Sequence, residues 1–289
     1  MRCSLFFAVA LALGGTFSAL PVEAQAQSRR QVQQTAEGAM VLTGEIDIGT
    51  EGQVEGFVMD QRDKVATDLA GFVERSVQGW RFEPVVRDGK PVRARTFVNI
   101  RLGAKAGPEG NDIVTLQAAS FGKYDPEATD EVQKLKIQPP IYPTAALDRG
   151  GQGEVVLILK VGRDGKVLDS VAEQVNLRVF GDESQMNKLR EVFARQSVNT
   201  SRRWTFRPPT TGKLVDEPFW SVRVPVNFSF TDSTVGYGQW TVFIPGPRNA
   251  APWRENVAGD ADVGGLLMNG GVYTADLNKG PRLLTQLGG

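Results

Sequence analysis

Trp80-Arg81-Phe82-Glu83-Pro84 and Trp204-Thr205-Phe206-Arg207-Pro208 write one phrase twice, Trp-x-Phe-x-Pro, in a chain of 289 residues. A repeat of this kind is either a packing device in two copies of one domain or a functional site in duplicate. Its surroundings decide. Gly49-Thr50-Glu51-Gly52 precedes the first phrase and Gly162-Arg163-Asp164-Gly165 the second. Val98-Asn99-Ile100-Arg101-Leu102 follows the first, and Val226-Asn227-Phe228-Ser229-Phe230 the second. Three landmarks in one order read as a diverged duplication whose second copy carries insertions.

Each copy reads strand, turn, strand, helix, strand. In the second, Val155, Leu157, Leu159 and Val161 alternate along one face, and Asp164-Gly165 supplies a tight turn, because glycine accepts the positive φ required there. A second strand covers roughly residues 166–174. A helix starts at Asp182, which can form a capping pair with Gln185. Met186, Leu189, Phe193, Thr200 and Trp204 fall near helical spacing, and Pro208 stops any continuation. Val222, Val224, Val226, Phe228 and Phe230 then alternate against Arg223, Pro225, Asn227 and Ser229, which read as the solvent face. In the first copy Ile46 and Ile48 open, and Val54 to Met59 makes the second strand. Val65, Leu69, Phe72, Val73, Val77 and Trp80 form a helical stripe, and Val92 to Leu102 closes the unit. Trp80 with Phe82, and Trp204 with Phe206, are expected to be structural anchors, since large aromatics at a helix-to-strand junction usually bury. Gly-x-x-Gly here joins strands, unlike the loop of a KH module, which clamps nucleic acid between helices.

Composition removes whole classes of function. Lys and Arg number 33 against 33 Asp and Glu, so neither nucleic acid nor an anionic membrane surface is suggested. The chain has no histidine, and its one cysteine is Cys3. Histidine-assisted nucleophiles, histidine metal ligands and thiolate chemistry go together. An enzyme would have to rely on carboxylates, lysine or an unusual serine pair, and no acid and base are singled out. Neither a catalytic residue, a metal site nor a cofactor is expected.

Residues 1–26 read as a secretory signal. Arg2 gives a basic start, Leu5 to Leu20 is apolar or small and uncharged, and Ala24-Gln25-Ala26 matches a small-x-small cleavage pattern. The run is shorter than the ~20 apolar residues of a typical spanning helix, so an uncleaved anchor is the lesser alternative. The mature chain is expected in the periplasm, without a membrane anchor and without disulfides. Residues 27–38 read as a polar leader, 39–103 as the first domain, 104–132 as a linker with one short ordered stretch at Ile113 to Leu116, 133–231 as the second domain, and 232–289 as a Gly/Pro/Asn-rich tail. Within the tail, Trp240 to Ile244 reads as a short strand, and Trp253 and Leu266-Leu267-Met268 as docking points.

From Pro140-Ile141-Tyr142-Pro143 and Ala145-Ala146 onward, the sequence resembles the C-terminal domain of TonB. The resemblance continues through Gly153-Glu154-Val155, Asp164-Gly165-Lys166-Val167, Arg203-Trp204-x-Phe206-x-Pro208 and the closing strand, covering about residues 138–230. The first copy, about residues 38–103, keeps Gly44-Glu45-Ile46, Gly52-Gln53-Val54 and Trp80-Arg81-Phe82-Glu83-Pro84 but has no Tyr-Pro lead-in. The resemblance implies an α+β fold: two ββαβ domains, each a small antiparallel sheet with one helix packed across it. It also implies binding of the TonB box, an extended peptide of outer-membrane receptors, as an added strand. By position it marks Pro140, Tyr142 and Pro143 of the lead-in, and Arg223, Pro225, Asn227 and Ser229 of the closing strand, whose edge takes the peptide in that family. The family's Gln-Pro-x-Tyr-Pro is altered here, because Gln138 sits one place early and Pro139 stands in the Gln position. A transducer's Ser-x-x-x-His anchor pattern and Pro-rich spacer are missing from this sequence.

Pro225 fits an edge, where proline within sheets is largely confined. Two readings of these residues stay open: peptide capture, or a rigid lead-in packed on the sheet with Pro225 guarding an edge against aggregation. At the level of the chain, the expectation is a non-enzymatic periplasmic protein-binding module, its partner a protein or peptide such as an outer-membrane receptor. The alternative is a structural or assembly protein of the envelope that pairs edge strands, as in a homodimer. Val156 and Ile158, opposite Leu157 and Leu159, require a cover on the second face of their strand. Either the first domain or the tail could provide it.

Overall fold

The computed structural model describes residues 35–107, 111–123, 125–230, 236–254, 272–274 and 280–288. The expected signal segment and Leu266-Leu267-Met268 lie outside the described residues. The fold is of the α+β kind, with antiparallel sheets and few helices.

The first half opens with β1 (Glu37–Ile48) and β2 (Val54–Met59), followed by α1 (Thr67–Gln78). A small hairpin of β3 (Val86–Arg87) and β4 (Lys90–Pro91) leads into β5 (Ala94–Ala106). β1 and β5 pair over their length, from Glu37 against Lys105 to Ile48 against Ala94. Period-two alternation sends Leu42, Ile46 and Ile48 to the same core as Val98, Ile100 and Leu102, where Val73 and Val77 of α1 meet them. Arg95 points the other way and pairs with Asp47 at 2.6 Å across the strands.

The expected linker is the first correction. β5 runs on to Ala106, and Asp112–Phe121 form a ten-residue strand, β6, antiparallel to β5 from Val98 against Phe121 to Ala106 against Asp112. Gln117 is the extra residue of a β-bulge, since Leu102 faces Leu116 and Arg101 faces Ala118. Phe121 ends β6 edge-on to Trp80 at 6.1 Å and to Phe82 at 5.1 Å, so β6 completes the first core. The end of the expected linker belongs to the second half, where the Thr129 carbonyl accepts from Thr210 N at 2.8 Å.

The second half begins with β7 (Gln133–Lys136) and the short α2 (Thr144–Leu147). β8 (Gly153–Gly162), β9 (Val167–Leu177), α3 (Glu183–Ser201), β10 (Thr205–Arg207) and β11 (Phe219–Phe228) follow. β10 pairs with β7, and the main sheet runs β9, β8, β11. Asp182 caps α3 by accepting from Gln185 N at 2.9 Å. Met186, Leu189 and Phe193 of α3 pack on Val155, Leu157, Leu159, Val222 and Val224.

The repeated phrase and the glycine turns are one device. In the first half Gly49 N donates to Gln53 O, Gly52 N to Gly49 O, and Phe82 N to Gly52 O, at 2.8, 3.0 and 2.7 Å. In the second half Gly162 N donates to Lys166 O, Gly165 N to Gly162 O, and Phe206 N to Gly165 O, at 2.9, 2.9 and 2.8 Å. Gly52 and Gly165 have φ of 81° and 75°, and a Cβ on either would run into the carbonyl oxygen of Phe82 or Phe206. Glycine is therefore required twice over, by conformation and by close approach. Trp80, Phe82, Trp204 and Phe206 are all buried.

The tail binds the halves together. Tyr237 and Trp240 pack on the first core, and β12 (Thr241–Phe243) pairs with Glu37–Ala39 of β1. β2 and β12 meet β1 on one side, at opposite ends, and Tyr237 serves the gap between them. Its hydroxyl donates to Thr43 O and accepts from Thr43 N, both at 3.1 Å. The chain then moves to the second half: Ile244 and Leu177 exchange backbone bonds at 2.7 and 3.0 Å, and Asn249 N donates to Glu173 O at 2.8 Å. β13 (Tyr273–Thr274) pairs with β11, after which Leu283 bridges Phe82 back in the first half.

Candidate functional site

β11 carries most of the residues marked in the sequence. On one side it pairs with β8 along all ten residues, from Phe219 against Gly162 to Phe228 against Gly153. Its other side was expected to be a free edge from Val222 to Phe230, and part of that expectation is corrected. The strand ends at Phe228, and β13 occupies Val222 and Arg223, with Thr274 and Tyr273 as partners. From Val224 to Phe228 the outer side has no strand partner among the described residues. Pro225 lies in that stretch and has no backbone N–H to offer.

The expected solvent face of β11 is mostly covered. Arg223 is 2% exposed and makes a bidentate ion pair with Glu173 of β9, at 2.7 Å from Nε and 2.8 Å from Nη2. Pro225 is buried, Ser229 is half-buried, and Asn227 alone of the four is exposed. Both expected covers contribute. Trp253 of the tail donates from Nε1 to the Ser221 hydroxyl on this face at 3.2 Å, while Arg101 of the first half interacts electrostatically with Glu154. Burial raises the Glu154 carboxyl above the ordinary range, against the opposing pull of Arg178 and Arg101.

The lead-in meets the far end of β11. Trp204 Nε1 donates to Gln138 O at 2.8 Å, tying the segment to the end of α3. Tyr142 stacks on Phe230 with centroids 5.1 Å apart and stands edge-on to Phe228 at 5.6 Å and to Phe193 at 6.2 Å. Its hydroxyl donates to the Gly151 carbonyl, and burial raises its pKa. Pro143 starts α2, its carbonyl accepting from Ala146 N and Leu147 N at 3.0 and 2.9 Å. Tyr142 is thus held by packing, and Pro140 beside it is half-buried. Ile141 between them is 81% exposed, and Phe230 keeps 45% of its surface exposed. The structure therefore brings Pro140, Tyr142 and Pro143 to the Asn227 and Ser229 end of β11, and places Arg223 in the interior.

Four contributors escaped the sequence reading: Glu173, Ile141, the exposed ring of Phe230, and the strand at Tyr273–Thr274. Only the last had a local signal, because Val272-Tyr273-Thr274 is a run of strand-favouring residues after glycine. Among the described residues no group of three or more His, Cys, Asp or Glu could hold a metal ion. No helix among them is long and apolar enough to cross a membrane.

Comparison with known proteins gives one kind of match. Protein TonB from two strains of Xanthomonas campestris pv. campestris is 31% identical to this chain over 102 residues, which is 35% of this chain and 40% of each relative. The match thus spans less than half the length of these curated relatives. It supports a domain like the C-terminal domain of TonB. No family model matches, and no solved structure matches.

Proposed function

We propose that this chain is a non-enzymatic, periplasmic protein-binding module made of two TonB C-terminal-like ββαβ units in tandem. The second unit captures an extended segment of a partner, such as an outer-membrane receptor, along β11. The observation that carries this reading is the unequal clothing of β11 among the described residues, fully paired on one side and met on the other by a strand of two residues. The Pro140–Pro143 lead-in, Asn227, Ser229 and the Phe230 ring flank the stretch that lacks a strand partner among the described residues. An incoming strand would satisfy backbone groups there whatever its side chains. The tandem part of the reading is supported by the matched hydrogen bonds of the two Gly-x-x-Gly turns.

The test is titration of a synthetic TonB-box peptide against the parent chain, Asn227→Pro and Asn99→Pro. Asn227→Pro should weaken binding at least tenfold, whereas Asn99→Pro should bind like the parent wherever it remains folded. Equal affinity for parent and Asn227→Pro removes β11 from the mechanism. Export and processing near Ala26 are checked by the intact mass of protein recovered from the periplasm; a full-length species confined to the inner membrane refutes them.

Self-association is a second reading with its own observation. The outer side of β6 has no strand partner among the described residues, and Ile113 to Phe121 carries no charge. Long uncharged edges invite pairing with another chain. Sedimentation across a concentration series separates the readings: a dimer abolished by Thr115→Lys favours pairing through β6, and a monomer throughout favours partner capture.

A further inference from the structure

The Trp-x-Phe phrase takes a strand on its outer side in both halves, and the two strands come from opposite directions of the chain. On the inner side, the residue after Trp bridges the residue after the turn glycine, Arg81 to Gln53 and Thr205 to Lys166. On the outer side, Phe206 lies antiparallel to Lys134 of β7, and Phe82 antiparallel to Leu283. β7 precedes its own unit, whereas residues 281–287 follow both units. The two fillers are unlike, since Lys134 stands in one where Leu283 stands in the other. The place is therefore defined by the phrase and its glycine turn rather than by the strand that fills it.

The filler of the first half shows what that place reads. Pro281, Leu283, Thr285 and Leu287 are half-buried, while Arg282, Leu284 and Gln286 between them are exposed. Leu283 and Leu287 pack on the first core. Glu83 N donates to Arg282 O at 2.9 Å, and Leu284 N to Arg81 O at 2.8 Å. An ordinary antiparallel pair would return the Arg81 N–H to the Leu284 carbonyl. Here Arg81 N donates instead to the hydroxyl of Thr285, at 2.7 Å. A side chain completes the ladder, which adds selectivity to a recognition mode whose affinity comes from the backbone. Upstream, Gly280 has φ of 84°, and a Cβ there would come within 2.8 Å of the Phe121 Cβ. Glycine is thus required where the segment passes the end of β6.

We propose that the outer edge of residues 81–83 is a strand-binding site whose ligand is an extended peptide of the pattern Gly-x-x-Leu-x-Thr-x-Leu. The chain's own residues 280–287 occupy it in cis, and a partner segment of the same pattern enters by the same bonds. The site is separate from β11 and does not rest on the reading of β11 as a capture edge.

The test uses the full chain and a fluorescently labelled synthetic peptide of residues 280–289. Leu283→Asp sets a charge against the first core and should expel the chain's own segment. Leu284→Pro removes the N–H that Arg81 O accepts while keeping both inward leucines, so it tests the same point if the first variant folds poorly. Own segment and site share one chain, at an effective concentration on the order of millimolar, so the parent should exclude the peptide. Fluorescence anisotropy should show the peptide binding each variant at least tenfold more tightly than the parent. Hydrogen exchange at the Arg81 and Glu83 amides should quicken at least tenfold in the variants and slow again when the peptide is added. A peptide carrying Thr285→Val should bind about fivefold more weakly, and one carrying Thr285→Ser like the original. Unchanged exchange at both amides, or quickened exchange with no binding of the peptide, overturns the proposal. Equal binding of the threonine and valine peptides overturns the selectivity. Asn227→Pro should leave all of these results unaltered, so failure here and failure of capture at β11 are read separately.

Discussion

β5 and β11 hold the same place in their sheets, each antiparallel to the strand that precedes the glycine turn or opens the unit, and they differ in what lies on their outer side. β5 is paired by β6 over Val98–Ala106, and β11, among the described residues, by β13 at Val222 and Arg223. β6 follows β5 directly in sequence, so the hairpin closes a short loop and forms at small entropic cost. β13 returns from far along the chain, and each doubling of loop length adds roughly 0.6 kcal/mol to closure. Among the described residues, the outer side of β5 is thus paired over most of its length and that of β11 at two residues.

The largest test of that comparison concerns what the halves share. Trp80→Ala and Trp204→Ala should each cost about 3–5 kcal/mol, because each removes a buried indole from an otherwise intact core. Denaturant unfolding followed in each half by local probes should show losses of similar size. A large difference between them would break the equivalence of the two anchors. Gly52→Ala and Gly165→Ala come next, at about 1–3 kcal/mol each, from the positive φ and the adjacent Phe carbonyl together. If either melts like the parent, the docking of the turn on the Trp phrase is not what holds that half.

The outer sides are sharpened by proline. Asn99 lies between Thr43 of β1 and Ser120 of β6, so Asn99→Pro loses a ladder bond inside the sheet, at roughly 1–2 kcal/mol. Asn227 has Glu154 on one side alone among the described residues, and Asn227→Pro should cost less by thermal melting. A reversal of that order would show that β11 is clothed as fully as β5. The smallest effect concerns the helix starts. Asp182→Ala should cost about 1 kcal/mol. Ala66, the N-cap residue before α1, supplies no side-chain cap, and Ala66→Asp should raise the melting temperature of the first half slightly.

What the sequence disclosed follows the reach of each interaction. The cap at Asp182 was legible because donor and acceptor lie three residues apart. The helical stripes and the alternation of β5 and β11 were legible because their periods repeat locally. Both glycine turns and both Trp phrases were recognised separately. Their joining by Phe82 to Gly52 and Phe206 to Gly165 leaves no periodic trace, since it depends on where the helix returns the chain. β6 was hidden by its bulge at Gln117, which breaks period two, and by the Gly and Pro that precede it. At the candidate site, alternation rightly put Arg223 opposite Val222 and Val224. It carries no information on what covers that opposite face, and Glu173 with the tail makes it interior. Tyr142 was marked by resemblance, but its packing on Phe228 and Phe230 is a matter of tertiary contact.

The return of the chain to Phe82 has a consequence for the order in which the molecule is made. Arg81 N is bonded to the hydroxyl of Thr285, 204 residues later in the chain, at 2.7 Å. A ribosome adds ~5–20 residues per second, so on the order of ten to forty seconds separate the two partners in synthesis. The half that emerges first is therefore the half that is completed last. Until Leu283 to Thr285 arrive, the segment holding Arg81 and Phe82 waits without the partners that will finally meet it. A late truncation of the message would thus injure the earliest-made part of the protein.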